Sequence, residues 1–257
     1  MSERSVNFDR AAEYYDRTRV TDPEALAETL DLLEGELAAR GRILEIGVGT
    51  GALAVPLVER GLDVVGIDVS TAMLAQLRKK SETMPVLAAD ATALPFPGDT
   101  FGAAYARWVL HLIPGWREVV GELARVVEPG GVVLVEPGGY QGTWLEVWHE
   151  IRARLGDAAA PIGLDTLGGA GDLDDAFAGH GAGARTLPAV RAASTATLGR
   201  FFPEARERLF SWTWRVDEGR LRAALDEVES WAHERYGQDL DAIGADVEMA
   251  WRAYDVA

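Results

Sequence analysis

The run Glu45-Ile46-Gly47-Val48-Gly49-Thr50-Gly51 sets three glycines between a short apolar stretch and a helix-forming one. Glycine lets a backbone turn sharply and approach a ligand closely. The helix that follows offers free N–H groups at its start. Asp68 closes the next apolar stretch, in Gly66-Ile67-Asp68-Val69-Ser70, where a carboxylate can accept both hydroxyls of a ribose. Asp90 follows a third, in Ala89-Asp90-Ala91, where it can accept from an adenine amino group. Gly47, Gly49 and Ala52 also satisfy a loose G-x-G-x-x-A dinucleotide pattern, with Asp68 about twenty residues on. Glu45 suits the neighbourhood of a cationic amino-acid group rather than a pyrophosphate. A ligand with ribose, adenine and a positive centre therefore fits the set better than NAD does.

These residues need a frame that brings distant carboxylates to one edge. The spacing predicts strands at 42–46, 63–67, 85–89, 100–106 and 132–135. Between them it predicts helices at 51–60, from Ser70 to Lys80, and at 116–128, the last ended by Pro129-Gly130-Gly131. Strands alternating with helices imply parallel pairing and a doubly wound sheet. The loops at the carboxyl ends of its strands then form the site. Before the first strand, Leu26, Leu30, Leu33 and Leu37 give one apolar helix face, with Thr21 or Asp22 as cap, Pro23 in the first turn and Gly41 as stop. After Glu136 the rhythm breaks. Helices are expected at 143–155, 197–212 and 218–236, a strand at 185–191 and a final edge strand at 247–254. Residues 156–183 are expected to be irregular.

The motifs together resemble the class I S-adenosylmethionine-dependent methyltransferases, in particular the small-molecule group similar to ubiquinone/menaquinone biosynthesis methyltransferases. The resemblance covers roughly residues 8–136. It runs from Leu44 to Gly51 and through Gly66–Ser70 with Met73. It continues through Asp90-Ala91, Leu94-Pro95-Phe96 and 99–101 to Val126-Val127-Glu128-Pro129-Gly130-Gly131. It implies a mostly parallel, seven-stranded Rossmann-like α/β sheet with an antiparallel edge strand and a helical cap inserted after the fifth strand. It implies S-adenosyl-L-methionine as cofactor and S-adenosyl-L-homocysteine as product. Gly47, Gly49, Thr50 and Gly51 would line the methionyl and ribose part, and Glu45 would lie near the amino group. Asp68 would hold the ribose hydroxyls, Val69 and Met73 would pack on the adenine, and Asp90 with the Ala91 N–H would meet its amino group. Tyr15-Asp16-Arg17 and Arg19 resemble an N-terminal segment that closes over the cofactor in related enzymes. Tyr15 and Arg19 are thus candidates for the cofactor carboxylate.

Displacement at a sulfonium asks mainly for positioning, and a base only where the nucleophile must lose a proton. The segment after the fourth strand, Ala106-Arg107-Trp108-Val109-Leu110-His111-Leu112-Ile113, is the place to look. His111 is either that base or a lining residue of the substrate pocket. Trp108 either shapes that pocket or packs in the core. Arg107 belongs with the cofactor candidates; it either holds an anionic group or pairs with a surface carboxylate. Trp144 and Trp148, at helical spacing, either line a cap over the substrate or form an apolar stripe. Phe201, Phe202, Phe210, Trp212 and Trp214 add aromatic density that either suits a hydrophobic or aromatic acceptor or forms the plain core of the cap. His180, His233, Glu146 and Glu150 read as structural or solvated, and no spacing suggests a metal site.

The totals narrow the classes further. The chain has 257 residues, a net charge of −16 and no cysteine. That excludes a disulfide scaffold, a thiolate metal site and a cysteine nucleophile. The acidic surface argues against nucleic acid and anionic lipid as partners. The charged start does not read as a signal peptide, and no apolar run reaches membrane-spanning length. The expected organisation is an N-terminal lid and helix (1–40), a cofactor-binding core (41–139), a helical cap (140–215) and a C-terminal helix and edge strand completing the core (216–257). The expected setting is a cytoplasmic bacterial protein, monomer or homodimer, methylating O, N or C of a small molecule. The competing readings are an NAD(P)-dependent oxidoreductase, which lacks a Tyr-x-x-x-Lys pair here, and a non-catalytic cofactor-binding protein.

Overall fold

The computed structural model describes residues 5–18, 22–139, 141–166 and 169–257. It opens with a 3-10 turn at Asp9–Ala11, one helical turn α1 (Tyr15–Thr18) and α2 (Pro23–Leu37). The alternating part is β1 (Arg42–Ile46), α3 (Ala54–Glu59), β2 (Asp63–Asp68), α4 (Thr71–Lys80), β3 (Val86–Ala88) and β4 (Phe101–Arg107). A 3-10 turn at Leu110–Leu112, α5 (Trp116–Val126) and β5 (Val127–Glu136) complete it. Then come α6 (Gly142–Leu155), α7 (Gly171–Ala178), β6 (Gly183–Thr186), β7 (Val190–Thr197) and α8 (Leu198–Arg206). A 3-10 turn at Ser211–Arg215, α9 (Glu218–Tyr236), β8 (Gly244–Met249) and β9 (Arg252–Asp255) end the order.

The sheet has seven strands in the order β3-β2-β1-β4-β5-β9-β6. β1 pairs in parallel with β2 and β4, as do β2 with β3 and β4 with β5. β9 runs antiparallel to both its neighbours. Order reverses at β1 and β4, so a crevice opens at their carboxyl ends. Leu33 and Leu37 of α2, Leu57 of α3 and Leu77 of α4 are buried on one face. Val119, Val120 and Leu123 of α5, with Leu173 and Phe177 of α7, are buried on the other. Each such side chain contributes about 1.5–3 kcal/mol by leaving water. A third apolar cluster joins α6, α8 and α9 through Trp144, Trp148, Phe201, Phe202, Leu225 and Val228.

The start of α2 follows the sequence. Asp22 caps it by accepting from Glu24 N and Ala25 N at 3.0 Å each, with Pro23 in the first turn. Replacing Asp22 by alanine is expected to cost about 1 kcal/mol and to lower Tm by roughly 2–4 °C, read by thermal melting.

Elsewhere the structure corrects the expectation. The antiparallel strand is not at the edge. Ala253 and Tyr254 are fully buried between β5 and β6, while the short, exposed and charged β6 takes the edge. The run 247–254 is two strands, because buried Trp251 breaks it and its carbonyl accepts from Leu187 N. β8 instead pairs with β7 in a separate two-stranded ribbon. Likewise 185–191 splits around Pro188 into β6 and β7. Residues 156–183 contain α7, whose Leu173 and Phe177 point inward, Phe177 stacked on Tyr254 at 3.9 Å. α8 stops at Arg206, and Ser211–Arg215 forms a separate turn. Pro129-Gly130-Gly131 lies within β5, where Gly130 N donates to Val256 O and Val256 N to Gly131 O.

Candidate functional site

The glycine loop leaves β1 and is built by backbone that only glycine adopts comfortably. Gly47 sits at φ +68°, and a Cβ there would meet Val109 Cγ2 at 2.6 Å. Gly51 sits at φ +81°, with its Cβ position 2.7 Å from Val55 Cγ2. The loop is tied down by Val48 N to Ile67 O and Gly51 N to Val48 O, both 2.9 Å. Asp68 ends β2 beside it. Its oxygens accept from Gly49 N at 2.9 Å and from Ser70 N at 2.8 Å. A carboxylate has about four lone-pair positions, so acceptor capacity remains for a ligand. Burial pushes the Asp68 carboxyl above its usual range against these hydrogen bonds.

A cavity of about 470 Å³ begins at this loop, within the range of small-molecule sites. Its first half is lined by Gly47, Gly49, Asp68, Val69, Met73 and Ala91, with Tyr15 from the N-terminal segment. The second half is lined by Trp108, His111, Trp144, Trp148, Phe201, Phe210 and Trp212, and Arg107 belongs to the lining beside Trp108. Trp144 meets Phe201 edge-on at 5.0 Å, and Trp148 meets Trp212 at 5.3 Å. His111 sits on the 3-10 turn after β4, and its carbonyl accepts from Gly163 N at 3.1 Å. Trp108 holds φ 53°, a costly value for a bulky residue, with its N–H donating to Glu136 O at 2.9 Å.

Of the other sequence-predicted residues, Glu45, Thr50, Gly51 and Asp90 stand outside that lining. Glu45 lies behind the loop, 4% exposed, accepting from the Tyr105 hydroxyl at 2.8 Å. Burial pushes its carboxyl up to about 8. Thr50 donates its hydroxyl to Asp16 at 2.6 Å, and Gly51 shapes the loop from beneath. Asp90 is on the exposed rim, accepting from Thr92 N and Oγ1 at 3.0 and 2.8 Å. Arg19 falls outside the described residues. Arg107 does not pair at the surface: its side chain is 9% exposed, and the carboxylate beside it, Glu136, is itself buried. Burial pushes Glu136 up to about 7.

Several contributors were missed. Asp9 accepts from Ser70 Oγ at 2.6 Å and Ala72 N at 3.1 Å, which docks the N-terminal segment on the start of α4. Asp16 pairs with Lys80 at 2.6 Å as well as with Thr50. Phe8 packs edge-on against Trp214 at 5.0 Å, so the same segment reaches the turn at Ser211–Arg215. Nothing in the local pattern announces these long-range contacts. Glu136 was legible, because it ends the strand beside β4 and stands opposite Arg107 in register.

Known proteins agree with this picture. Residues 44–135 match the sequence family described as Methyltransferase domain. The chain is 43% identical over 104 residues to a phosphatidylethanolamine N-methyltransferase of Cereibacter sphaeroides, a match covering 38% of this chain and 51% of that one. It is 42% identical over 100 residues to a demethylmenaquinone methyltransferase of Thermus thermophilus, covering 37% and 46%. The chain thus spans about half the length of these relatives. A SAM-dependent methyltransferase structure from Thermotoga maritima superposes with a TM-score of 0.57 at 18% identity, covering 96% of this chain and 97% of that one. Among the described residues no helix is long and apolar enough to cross a membrane.

Proposed function

We propose that this chain, whose residues 44–135 match a methyltransferase domain, transfers a methyl group from S-adenosyl-L-methionine to a small-molecule acceptor. The observation that carries this reading is one continuous cavity. It joins the glycine loop and Asp68 to an aromatic chamber over the carboxyl ends of β1 and β4. The residues fit the cofactor. Asp68 retains acceptor capacity for ribose hydroxyls, Val69 and Met73 offer apolar contact to the adenine, Ala91 lines its amino edge, and Asp90 would reach that edge from the exposed rim. Glu45 braces the loop from behind through the Tyr105 hydroxyl, and Tyr15 closes the carboxylate end.

When bound, the cofactor supplies an electrophilic methyl group on a sulfonium. The chain's part is to position and to exclude water. The glycine loop lets the backbone reach the ligand, and the N-terminal segment, held by Asp9 and Asp16, covers it. Trp108, Trp144 and Trp148 wall the acceptor chamber, where a flat apolar acceptor would pack and its reacting atom be oriented in line. His111 faces the same chamber and accepts a proton from the acceptor where the reacting atom carries one. The setting is a cytoplasmic bacterial one, the chain a monomer or homodimer, and nucleic acid is not a substrate. Incubation with methyl-labelled donor tests this: label should pass to members of a small aromatic and heteroatom acceptor panel and not to RNA. Label on RNA alone would refute the acceptor class. Replacing His111 by alanine should lower turnover by roughly 100-fold while S-adenosylhomocysteine affinity, read by calorimetry, stays within about threefold. Unchanged turnover would remove it from the mechanism.

A further inference from the structure

Arg107 belongs to the cavity lining, beside Trp108. Its side chain is nine-tenths buried, yet its fork is poorly served. Nε lies 3.8 Å from Glu136 Oε2, too far for a hydrogen bond, and among the described residues neither atom has a hydrogen-bond partner. Nη2 points at Met249 Sδ at 3.2 Å, a weak acceptor. The guanidinium carbon sits 4.2 Å from the Trp108 ring centre. A buried guanidinium without oxygen acceptors is costly unless an anion completes it.

Its neighbours bear on which ligand supplies that anion. β4 lies between β1 and β5. The side chain lies against Glu136 of β5, Trp108 and Met249 of β8, and Trp108 and Met249 line the same cavity; Tyr15 and Glu45 act on it through space. The nearest carboxyl, Glu136, stands 3.8 Å away without a hydrogen bond, and burial pushes both it and Glu45 above the usual carboxylate range. The chamber's other carboxylates already have partners: Glu204 pairs with Arg200, Asp165 with Arg152 and Glu248 with Arg191. An ammonium would meet aromatic rings but also the guanidinium, which repels it.

We propose that Arg107 anchors an acidic oxygen of the methyl acceptor, so that the acceptor is a flat, largely apolar molecule carrying a carboxylate or a comparably acidic oxygen. This rests on the methyl-transfer reading above. Arg107 then sets specificity by a charge-assisted, forked contact that a neutral analogue cannot make.

The test is calorimetric, with 2-naphthoate and 2-naphthamide titrated into protein saturated with S-adenosylhomocysteine. The acid should bind about tenfold or more tighter than the amide. The double variant Arg107→Met, Glu136→Gln removes the buried pair together and leaves no charge stranded. In it the acid's advantage should vanish while S-adenosylhomocysteine affinity stays within about threefold. A tenfold loss of S-adenosylhomocysteine affinity would instead assign Arg107 to the cofactor carboxylate and overturn the proposal. Equal binding of acid and amide, or binding of neither, overturns it too. Failure of the wild type to bind S-adenosylhomocysteine at all would bring down the methyl-transfer reading itself.

Discussion

Replacing Asp68 by alanine is expected to weaken S-adenosylhomocysteine binding by about 2–4 kcal/mol, roughly 30- to 1000-fold. The carboxylate is held in place by Gly49 N and Ser70 N, so it loses little freedom when it takes two ribose hydroxyls. Charge-assisted hydrogen bonds in a half-buried site are worth more than neutral ones. Removing the side chain also leaves the Gly49 and Ser70 N–H groups without their acceptor, which loosens the loop. Asp68→Asn separates the two effects. It keeps the volume and one acceptor oxygen but sets its NH2 against one of the two backbone donors, Gly49 N or Ser70 N, so it should lose less affinity than alanine, with a small fall in Tm. Calorimetry on both variants reads the difference. Affinity for Asp68→Ala within about threefold of wild type would refute the ribose assignment.

The second large effect is on stability against pH. Burial raises Glu45 to about 8 and Glu136 to about 7, whereas an unfolded glutamate sits near 4.3. The folded chain therefore holds protons that the unfolded chain has released. The contribution of these two groups to stability is greatest below the unfolded value and is lost as pH rises through 7 and 8. Between pH ~6 and ~8 the two groups together should remove about 2–4 kcal/mol, a fall in Tm of roughly 5–10 °C. Glu45→Gln keeps an acceptor for the Tyr105 hydroxyl and cannot ionise. Its melting curve should fall less steeply with pH and cross above that of the wild type on the alkaline side. Parallel Tm profiles for the two proteins would show that Glu45 is not buried as a proton-holding acid.

How far the sequence speaks is clearest at particular elements. β1, β2 and β4 lie within one residue of where apolar runs and flanking glycines put them, because a central parallel strand is buried on both faces and reads as a continuous apolar run. Asp68 was legible for the same reason, since the end of a central strand faces the crevice; Asp90, two residues beyond β3, instead lies on the exposed rim. The C-terminal half was less so. α7 hides in glycine, alanine and aspartate, and only the spacing of Leu173 and Phe177 announces it. β9 looks like the tail of a longer strand because Trp251, the residue that separates it from β8, is as apolar as its neighbours. Its place between β5 and β6 depends on contacts some 120 residues apart, which no local pattern encodes. The same holds for Asp9 and Asp16, ordinary surface-type residues until the fold brings Ser70, Thr50 and Lys80 to them.

The most direct test of the central claim is calorimetric titration of the purified protein with S-adenosylhomocysteine, with NAD as the parallel control. Micromolar binding of S-adenosylhomocysteine and none of NAD is the result this structure leads us to expect. Binding of NAD alone would contradict it, since the loop from Gly47 to Gly51 would then be seating a pyrophosphate.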